Sequence, residues 1–364
     1  MINEKRLLEL TCSLIDIYSP SGKEQEAVNF LSNYLGHAGI YPIRQAVEAG
    51  RDNLLILGDK SQNSILFMGH IDTVPASNLQ NFQSEIQHDK IYGLGAADMK
   101  AGCAAMIEAL LCYQDKYQRL PPVSLAFVVG EEETGDGAIK LCEEYHFEWA
   151  VVGEPTSLNL AHSHFGYLEM DIITRGEKKH ASLAGSSKNA VHTMLGALNE
   201  ITGFLDQRYP FCVYNLRDIN SSAQGFVVAE KCEACVDIHI PPGLSVQEVL
   251  ENLSSMIREL SHKNTFIEDI LFDFPVIHSG YVLEQSERIL RLFGDRKADS
   301  EYSFPSDSDG VILYKNGVKP LILGPGSLSE AHTSGEFVNI SEITEASRIY
   351  FNFMEQLGSA DTSG

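Results

Sequence analysis

Short apolar runs bounded by turn residues recur along the first part of the chain: Asn53 to Leu57, Ser64 to Met68, Val123 to Val129 and Trp149 to Val152. Runs of this length without polar alternation suit strands buried on both faces of a mainly parallel sheet. Between the second and third runs, Cys103, Met106, Ile107, Leu110 and Leu111 recur at helical spacing. Strand, helix, strand in that order predicts an α/β domain. Upstream, Ser21-Gly22-Lys23-Glu24 reads as a capping box with Ser21 as N-cap, opening a helix through Val28, Leu31 and Leu35 that ends near Gly36 or Gly39.

From about Phe165 the pattern changes. Gly166 to Thr174 predicts a strand, Asn189 to Leu205 a helix, and two longer runs near Phe211 to Leu216 and Phe226 to Ile240 predict strands, the second stopping at Pro241-Pro242. A helix over Ser245 to Leu260 and a strand over Ile267 to Phe274 complete β-α-β-β-α-β, the ferredoxin-like order. After Pro275 the α/β pattern resumes through Val318 to Leu323. The expected organisation is therefore a discontinuous larger domain, 1–165 and 275–364, interrupted by a small one at 166–274. There is no internal repeat or low-complexity tract.

Composition narrows the functional classes. Among 364 residues, 27 are Lys or Arg and 50 are Asp or Glu, a formal net charge of -23. Nucleic-acid binders displace counterions with a basic face, and anionic membrane surfaces repel such a chain, so neither partner is expected. No apolar stretch approaches the length of a transmembrane helix. The seven scattered cysteines make a poor disulfide framework and fit a reducing cytoplasm. Cys232 and Cys235 form a lone CxxC without a second pair.

The residues just past each apolar run are more informative. His70 and Asp72 come after the second run, Glu131-Glu132-Glu133 after the third and Glu154 after the fourth. In open parallel sheets the carboxyl ends of strands form the ligand crevice. Singly, each residue has an ordinary role open to it: a structural histidine, Asp98 as a helix N-cap, a solvated acidic turn. Crowded at one sheet edge, carboxylates without a cation would repel one another. One or two divalent metals would relieve that conflict, and a His, Asp and Glu donor set without cysteine suits zinc or cobalt at a hydrolytic site.

Five ordered motifs carry a family resemblance: Gly69-His70-Ile71-Asp72-Thr73-Val74-Pro75; Tyr92 to Lys100, with Gly93-Leu94-Gly95 and Asp98-Met99; Glu131-Glu132-Glu133-Thr134-Gly135; Gly153-Glu154-Pro155-Thr156; and Ala331-His332-Thr333-Ser334-Gly335-Glu336. Together they resemble the dinuclear metallohydrolases that include acetylornithine deacetylase, succinyl-diaminopimelate desuccinylase, aminoacylase and the carboxypeptidase G type. The resemblance implies a zinc-peptidase-like α/β catalytic domain interrupted by a dimerisation or lid domain, and two divalent ions per subunit, zinc or else cobalt. It further implies that Asp98 bridges the ions, that His70 and Glu154 complete one site, and that Glu133 and His332 complete the other. Asp72 would orient His70, and Glu132 would be the general base. His180 would reach the partner subunit's site in a homodimer and help hold the oxyanion.

Three positions depart from the family pattern: Leu94 replaces the usual Arg, Asp237-Ile238-His239 replaces Asp-x-Arg, and Glu131 replaces Asp. The implied reaction is hydrolysis of the amide of an N-acylated amino acid, of the N-acetylornithine or N-acetyllysine type. Arg217 is a candidate for the substrate carboxylate, and equally reads as a surface arginine. A dipeptidase or carboxypeptidase would use the same chemistry. A catalytically silent, dimeric amino-acid-binding homologue should have lost a ligand or the base, and all are present. No GxSxG supports a serine hydrolase, and Asp98 stands where a dinucleotide fingerprint wants Gly or Ala.

Overall fold

A computed structural model describes residues 1–58, 65–76, 78, 82–186, 188–221, 225–263, 270–284, 287–293 and 302–360. In chain order, helices α1 (Glu4–Ile15) and α2 (Gln25–His37) precede strands β1 (Ile43–Glu48), β2 (Arg51–Ile56) and β3 (Ile65–His70). Helix α3 (Ala101–Tyr117), β4 (Ser124–Val128), α4 (Asp136–Glu144) and β5 (Trp149–Val152) follow. Next come β6 (Gly166–Arg175), α5 (Ala190–Arg208), β7 (Val213–Asn220), β8 (Lys231–Ile240), α6 (Val246–Lys263) and β9 (Ile270–His278). The chain closes with α7 (Asp309–Lys315), β10 (Lys319–Ile322) and α8 (Ile340–Ala360).

Two compact units result. The first comprises Met1–His162, Leu283–Phe304 and Ser308–Gly364, and the second Ser163–Val282 with Pro305–Asp307. The second boundary falls beyond the expected 274 because β9 runs on to His278 and Tyr281–Val282 pairs with Ser163–His164. Pro275, which suggests a boundary in the sequence, sits inside β9 at a register shift between Asp273 and Val276. A bulge is one of the few places a sheet tolerates a residue that cannot donate.

The first unit holds a six-stranded sheet in the order β1-β2-β4-β3-β5-β10. Strands β4, β3, β5 and β10 are mutually parallel, whereas β1 and β2 form an antiparallel hairpin at one edge. The run Asn53 to Ile56 is buried throughout, as expected, yet lies antiparallel to β4. Burial on both faces makes a run apolar whichever way it points, so direction cannot be read from it. Helix α3 is buried from Ala101 through Tyr113, and its small residues permit this. A side chain on Gly102 would collide with the Gly153 carbonyl, so glycine lets α3 lie against the end of β5. Phe67 packs edge-on to Tyr350 and Phe353 of α8, with ring centroids 5.4 and 5.2 Å away.

In the second unit the strand order is β7-β8-β6-β9, antiparallel throughout, which is the ferredoxin-like arrangement. Leu168, Met170 and Ile172 alternate inward against Met194 and Ile201 of α5 and Val249, Leu253 and Ile257 of α6. Cys232 joins this core, while Cys235, an odd number of residues along the same strand, points to the opposite face. The CxxC therefore cannot close on itself, and all seven cysteines are free. No helix among the described residues is long and apolar enough to cross a membrane.

Candidate metal centre

The parallel strands β4, β3 and β5 end side by side, and each hands over to a polar residue. His70 ends β3 itself, Glu131 and Glu132 follow β4, and Glu154 follows β5. Asp98 lies in the irregular stretch before α3, where Gly93 (φ 148) and Gly95 (φ 75) adopt backbone that other residues avoid. It is thus not the helix N-cap that its position suggests; α3 begins at Ala101. His332 comes from the loop ahead of the short strand Phe337–Asn339.

These residues form overlapping groups whose donor atoms lie within 4.8 Å of one another: His70, Asp98 and Glu154; His70, Glu131 and Glu132; and Asp98, Glu132 and His332. Asp98 belongs to the first and the third. Its Oδ1 lies 3.0 Å from His70 Nε2, and its Oδ2 lies 3.6 Å from His332 Nε2. His332 Nε2 is 3.0 Å from a Glu132 oxygen, and Glu131 Oε2 is 3.7 Å from His70 Nε2.

The pairing expected of Glu133 with His332 is not the one found. Glu132 meets His332, and Glu133 is exposed. The reason is a tight turn: Gly130 adopts φ 76, and its carbonyl accepts from both Thr134 and Gly135 amides. The turn is pinned from below by the Asp72 carboxylate, which accepts from the Glu131 amide (3.2 Å), the Glu132 amide (3.1 Å) and the Ser21 hydroxyl (2.7 Å). With both preceding amides held inward, 131 and 132 face the cluster and 133 faces solvent.

The expected role of Asp72, orienting His70 through its carboxylate, is filled by its main chain. His70 Nδ1 donates to the Asp72 backbone carbonyl at 3.0 Å, and the nearest carboxylate oxygen is 3.6 Å away. Ser21 likewise is not a helix cap; Glu24 takes that position in α2, and its carboxylate accepts from the Gly22 amide and pairs with Arg51. Arg51 also pairs with Asp136, the first residue of α4, so β2 ties the two ends of this framework together.

The electrostatics show a site short of positive charge. Burial pushes the Glu131, Glu132 and Glu154 carboxyls above their ordinary range, with neighbouring carboxylates adding to the shift. For His70, burial opposes the charged ring, but Glu131, Asp98, Glu154 and Asp72 outweigh it and raise its pKa well above normal. The Glu132 hydrogen bond carries His332 up to about 9. Among the described residues none of these carboxylates pairs with Lys or Arg. Lys100, buried close by and brought down to about 8 by burial, donates instead to the Ile17 carbonyl at 2.7 Å. Glu154 Oε1 is buried without a hydrogen-bond partner. Two imidazoles, hard oxygen donors and an orphaned buried acceptor fit divalent cations.

His180 and Arg217 lie in the second unit. His180 is exposed, its ring bonded to the Ser182 hydroxyl at 2.8 Å. Arg217 is already engaged, 2.8 Å from Glu169 and 3.1 Å from Asp237, so it is not the free cation a substrate carboxylate would need. Two buried acids stand outside the roles that the motifs imply. Asp309 opens α7, 2% exposed, and its charge adds to the upward shifts of Glu131 and Glu154. Glu336, 3% exposed, accepts from the Gly95, Ala97 and Asp98 amides. Burial raises its carboxyl to about 7, while those amides act in the other direction. A cleft of about 730 Å³ is lined in part by Phe82, Tyr92, Leu94, Thr333, Ser334 and Glu336, drawn from the stretches that precede Asp98 and follow His332.

A family model for peptidase family M20/M25/M40 matches residues 66–356, a span that takes in every donor of the cluster. The chain belongs to this family. An acetylornithine deacetylase of Photorhabdus laumondii is 27% identical over 349 residues, covering 89% of this chain and 88% of the relative. Among solved structures, a Staphylococcus aureus tripeptidase superposes with a TM-score of 0.79 at 20% identity, covering 98% of this chain and 99% of the other. A Bacillus subtilis dinuclear metal-binding peptidase of family M20 gives 0.65 at 14% identity, covering 97% and 98%. This M20 chain is accordingly a metal-dependent hydrolase with the mixed α/β fold of that family.

Proposed function

We propose that the protein hydrolyses the amide of an N-acylated amino acid, of the N-acetylornithine or N-acetyllysine type, using two zinc ions. The observation that carries the proposal is the sharing of Asp98 between two His-and-carboxylate groups, with Glu154 Oε1 buried and unpartnered beside them. The deacetylase relative supports the substrate class. His70, Glu154 and Asp98 would hold one ion, and Asp98, Glu132 and His332 the other. Bound there, the ions would supply Lewis acidity and lower the pKa of the attacking water towards about 7.

With Glu132 in the donor set rather than serving as the base that the resemblance implies, Glu131 is the carboxylate left to accept the proton of the attacking water and to return it to the leaving amine. Asp72 keeps Glu131 in place through its amide. His180 is the proposed oxyanion donor, supplied across a homodimer, and the free cysteines fit a cytoplasmic setting.

The test is release of free amine, detected with ninhydrin, from zinc- or cobalt-loaded protein. The panel holds N-acetylornithine, N-acetyllysine, N-succinyl-diaminopimelate, other N-acyl amino acids, dipeptides and a tripeptide. Selective release from one N-acetyl amino acid, abolished in Glu131→Gln, is expected. Selective release from the peptides would overturn the deacetylase assignment, and no release from metal-replete protein would overturn the hydrolysis of these amides altogether.

A further inference from the structure

We propose that Glu336 is a positioning residue for the metal centre: its carboxylate clasps the amides of Gly95, Ala97 and Asp98, and so fixes the direction of the Asp98 side chain before any cation arrives. This rests on the metal-centre reading above and extends it to a residue that does not touch the cations. The geometry is specific. Oε2 accepts from the Gly95 amide at 3.0 Å, and Oε1 accepts from the Ala97 amide at 2.8 Å and the Asp98 amide at 3.1 Å. Gly95, at φ 75, turns these amides toward one point, forming the kind of backbone concavity that binds an anion. Here the anion belongs to the chain itself.

Glu336 lies on the segment that carries His332, four residues earlier. The two segments are already joined without the carboxylate. Phe337 pairs with Tyr92 in an antiparallel ladder, and the Gly93 amide donates to the Glu336 carbonyl at 3.1 Å. Main-chain pairing therefore suffices to hold the strands together. What the side chain alone adds is the orientation of the three peptides that lead to Asp98. Asp98 (φ -118, ψ 98) and Met99 (φ -129, ψ 36) leave helical geometry, so no regular ladder of helix hydrogen bonds fixes that stretch. Asp98 must present Oδ1 to the His70 side and Oδ2 to the His332 side at once, which a loosely held loop would do only part of the time. Outer partners of metal ligands typically change metal affinity by about 10- to 100-fold when removed.

Glu336→Gln tests this, because it keeps the shape but replaces one of the two accepting oxygens with an NH2 donor that must face at least one of the clasped amides. Zinc titration of the metal-free protein is expected to show affinity at least about tenfold weaker, with the metal-free melting temperature close to wild type. Hydrogen exchange of the 93–99 segment should be slow in metal-free wild type and fast in the variant. A folded Glu336→Gln protein that binds zinc as tightly as wild type would overturn the proposal. If the variant does not fold, exchange in the wild type decides. Protection of this segment without metal supports the clasp, and exchange as fast as in the exposed Ser334-Gly335 stretch overturns it. Neither readout uses turnover, so a failed amide panel would count against the proposed substrate and leave this inference standing.

Discussion

Two carboxylate clusters in this molecule have similar donors at similar spacing and opposite fates. In the first unit, Asp98, Glu132 and His332 converge with no arginine or lysine paired to them among the described residues. In the second, Glu169, Cys235 and Asp237 converge just as tightly, but Arg217 stands among them, 2.8 Å from Glu169, 3.1 Å from Asp237 and 3.0 Å from the Cys235 sulfur. Tyr167 and Asn215 donate to what remains of Asp237. A guanidinium with its five donors completes that cluster internally. Convergence of ligand-type side chains is thus common to both, and what separates them is whether the chain supplies its own cation.

The comparison breaks most visibly in the acidic turn. Glu132→Gln is expected to lose about half the bound zinc and to reduce turnover by about 10³ or more, whereas Glu133→Gln should change either by less than about twofold. Metal analysis of the purified variants, alongside amine release, checks this. If Glu133→Gln is the variant that loses zinc, the turn at Gly130 carries Glu133 inward in place of Glu132.

A smaller effect is expected in the second unit. Arg217→Met leaves Glu169 and Asp237 without their cation and should cost about 1–3 kcal/mol of stability. The low end of that range applies, because the guanidinium is half exposed and solvent screens the pair. Chemical denaturation measures the loss. The Michaelis constant for the best substrate should be unchanged, and a rise of about tenfold would restore Arg217 as the substrate-carboxylate contact.

The smallest and most diagnostic effect concerns protons. With His332 raised to about 9, the metal-free ring is charged at about pH 7 to 8, and a cation needs it neutral. Zinc binding should therefore release protons, and affinity should climb with pH from neutral towards about 9. Titration calorimetry in buffers of different ionisation enthalpy counts them. Release of no proton near neutral pH would remove His332 from the ligand set.

Much of this site is legible in the sequence because strand ends are simple objects. Apolar runs buried on both faces must stop where the sheet stops, and His70, Glu131-Glu132 and Glu154 stand at three such stops. Which two of three consecutive glutamates face inward is not legible, since it depends on the Gly130 turn and on Asp72, 59 and 60 positions away from the amides it holds. Ser21-x-x-Glu24 has the local signature of a helix cap, yet both side chains are drawn off by longer-range partners, Asp72 and Arg51. Asp309, next to the N-cap Ser308, and Glu336, closing a polar loop, look in sequence like ordinary solvated acids. Only tertiary burial distinguishes them. The ferredoxin-like unit, by contrast, is legible in its order of elements, because alternation with period two and period near four identifies strands and helices locally, although the strand expected from Phe226 begins at Lys231 and the start of the one expected from Ile267 lies outside the described residues.

The span between Gly95 and Glu336, 241 positions, also dictates an order of events at the ribosome. His70, Asp98 and Glu154 are all made before the second unit begins at Ser163, so a nascent chain can assemble that half early. His332 and the residue that clasps the Asp98 loop emerge only after the second unit has been synthesised. The nascent polypeptide therefore passes through a long interval in which His70, Asp98 and Glu154 are present without His332 or Glu336.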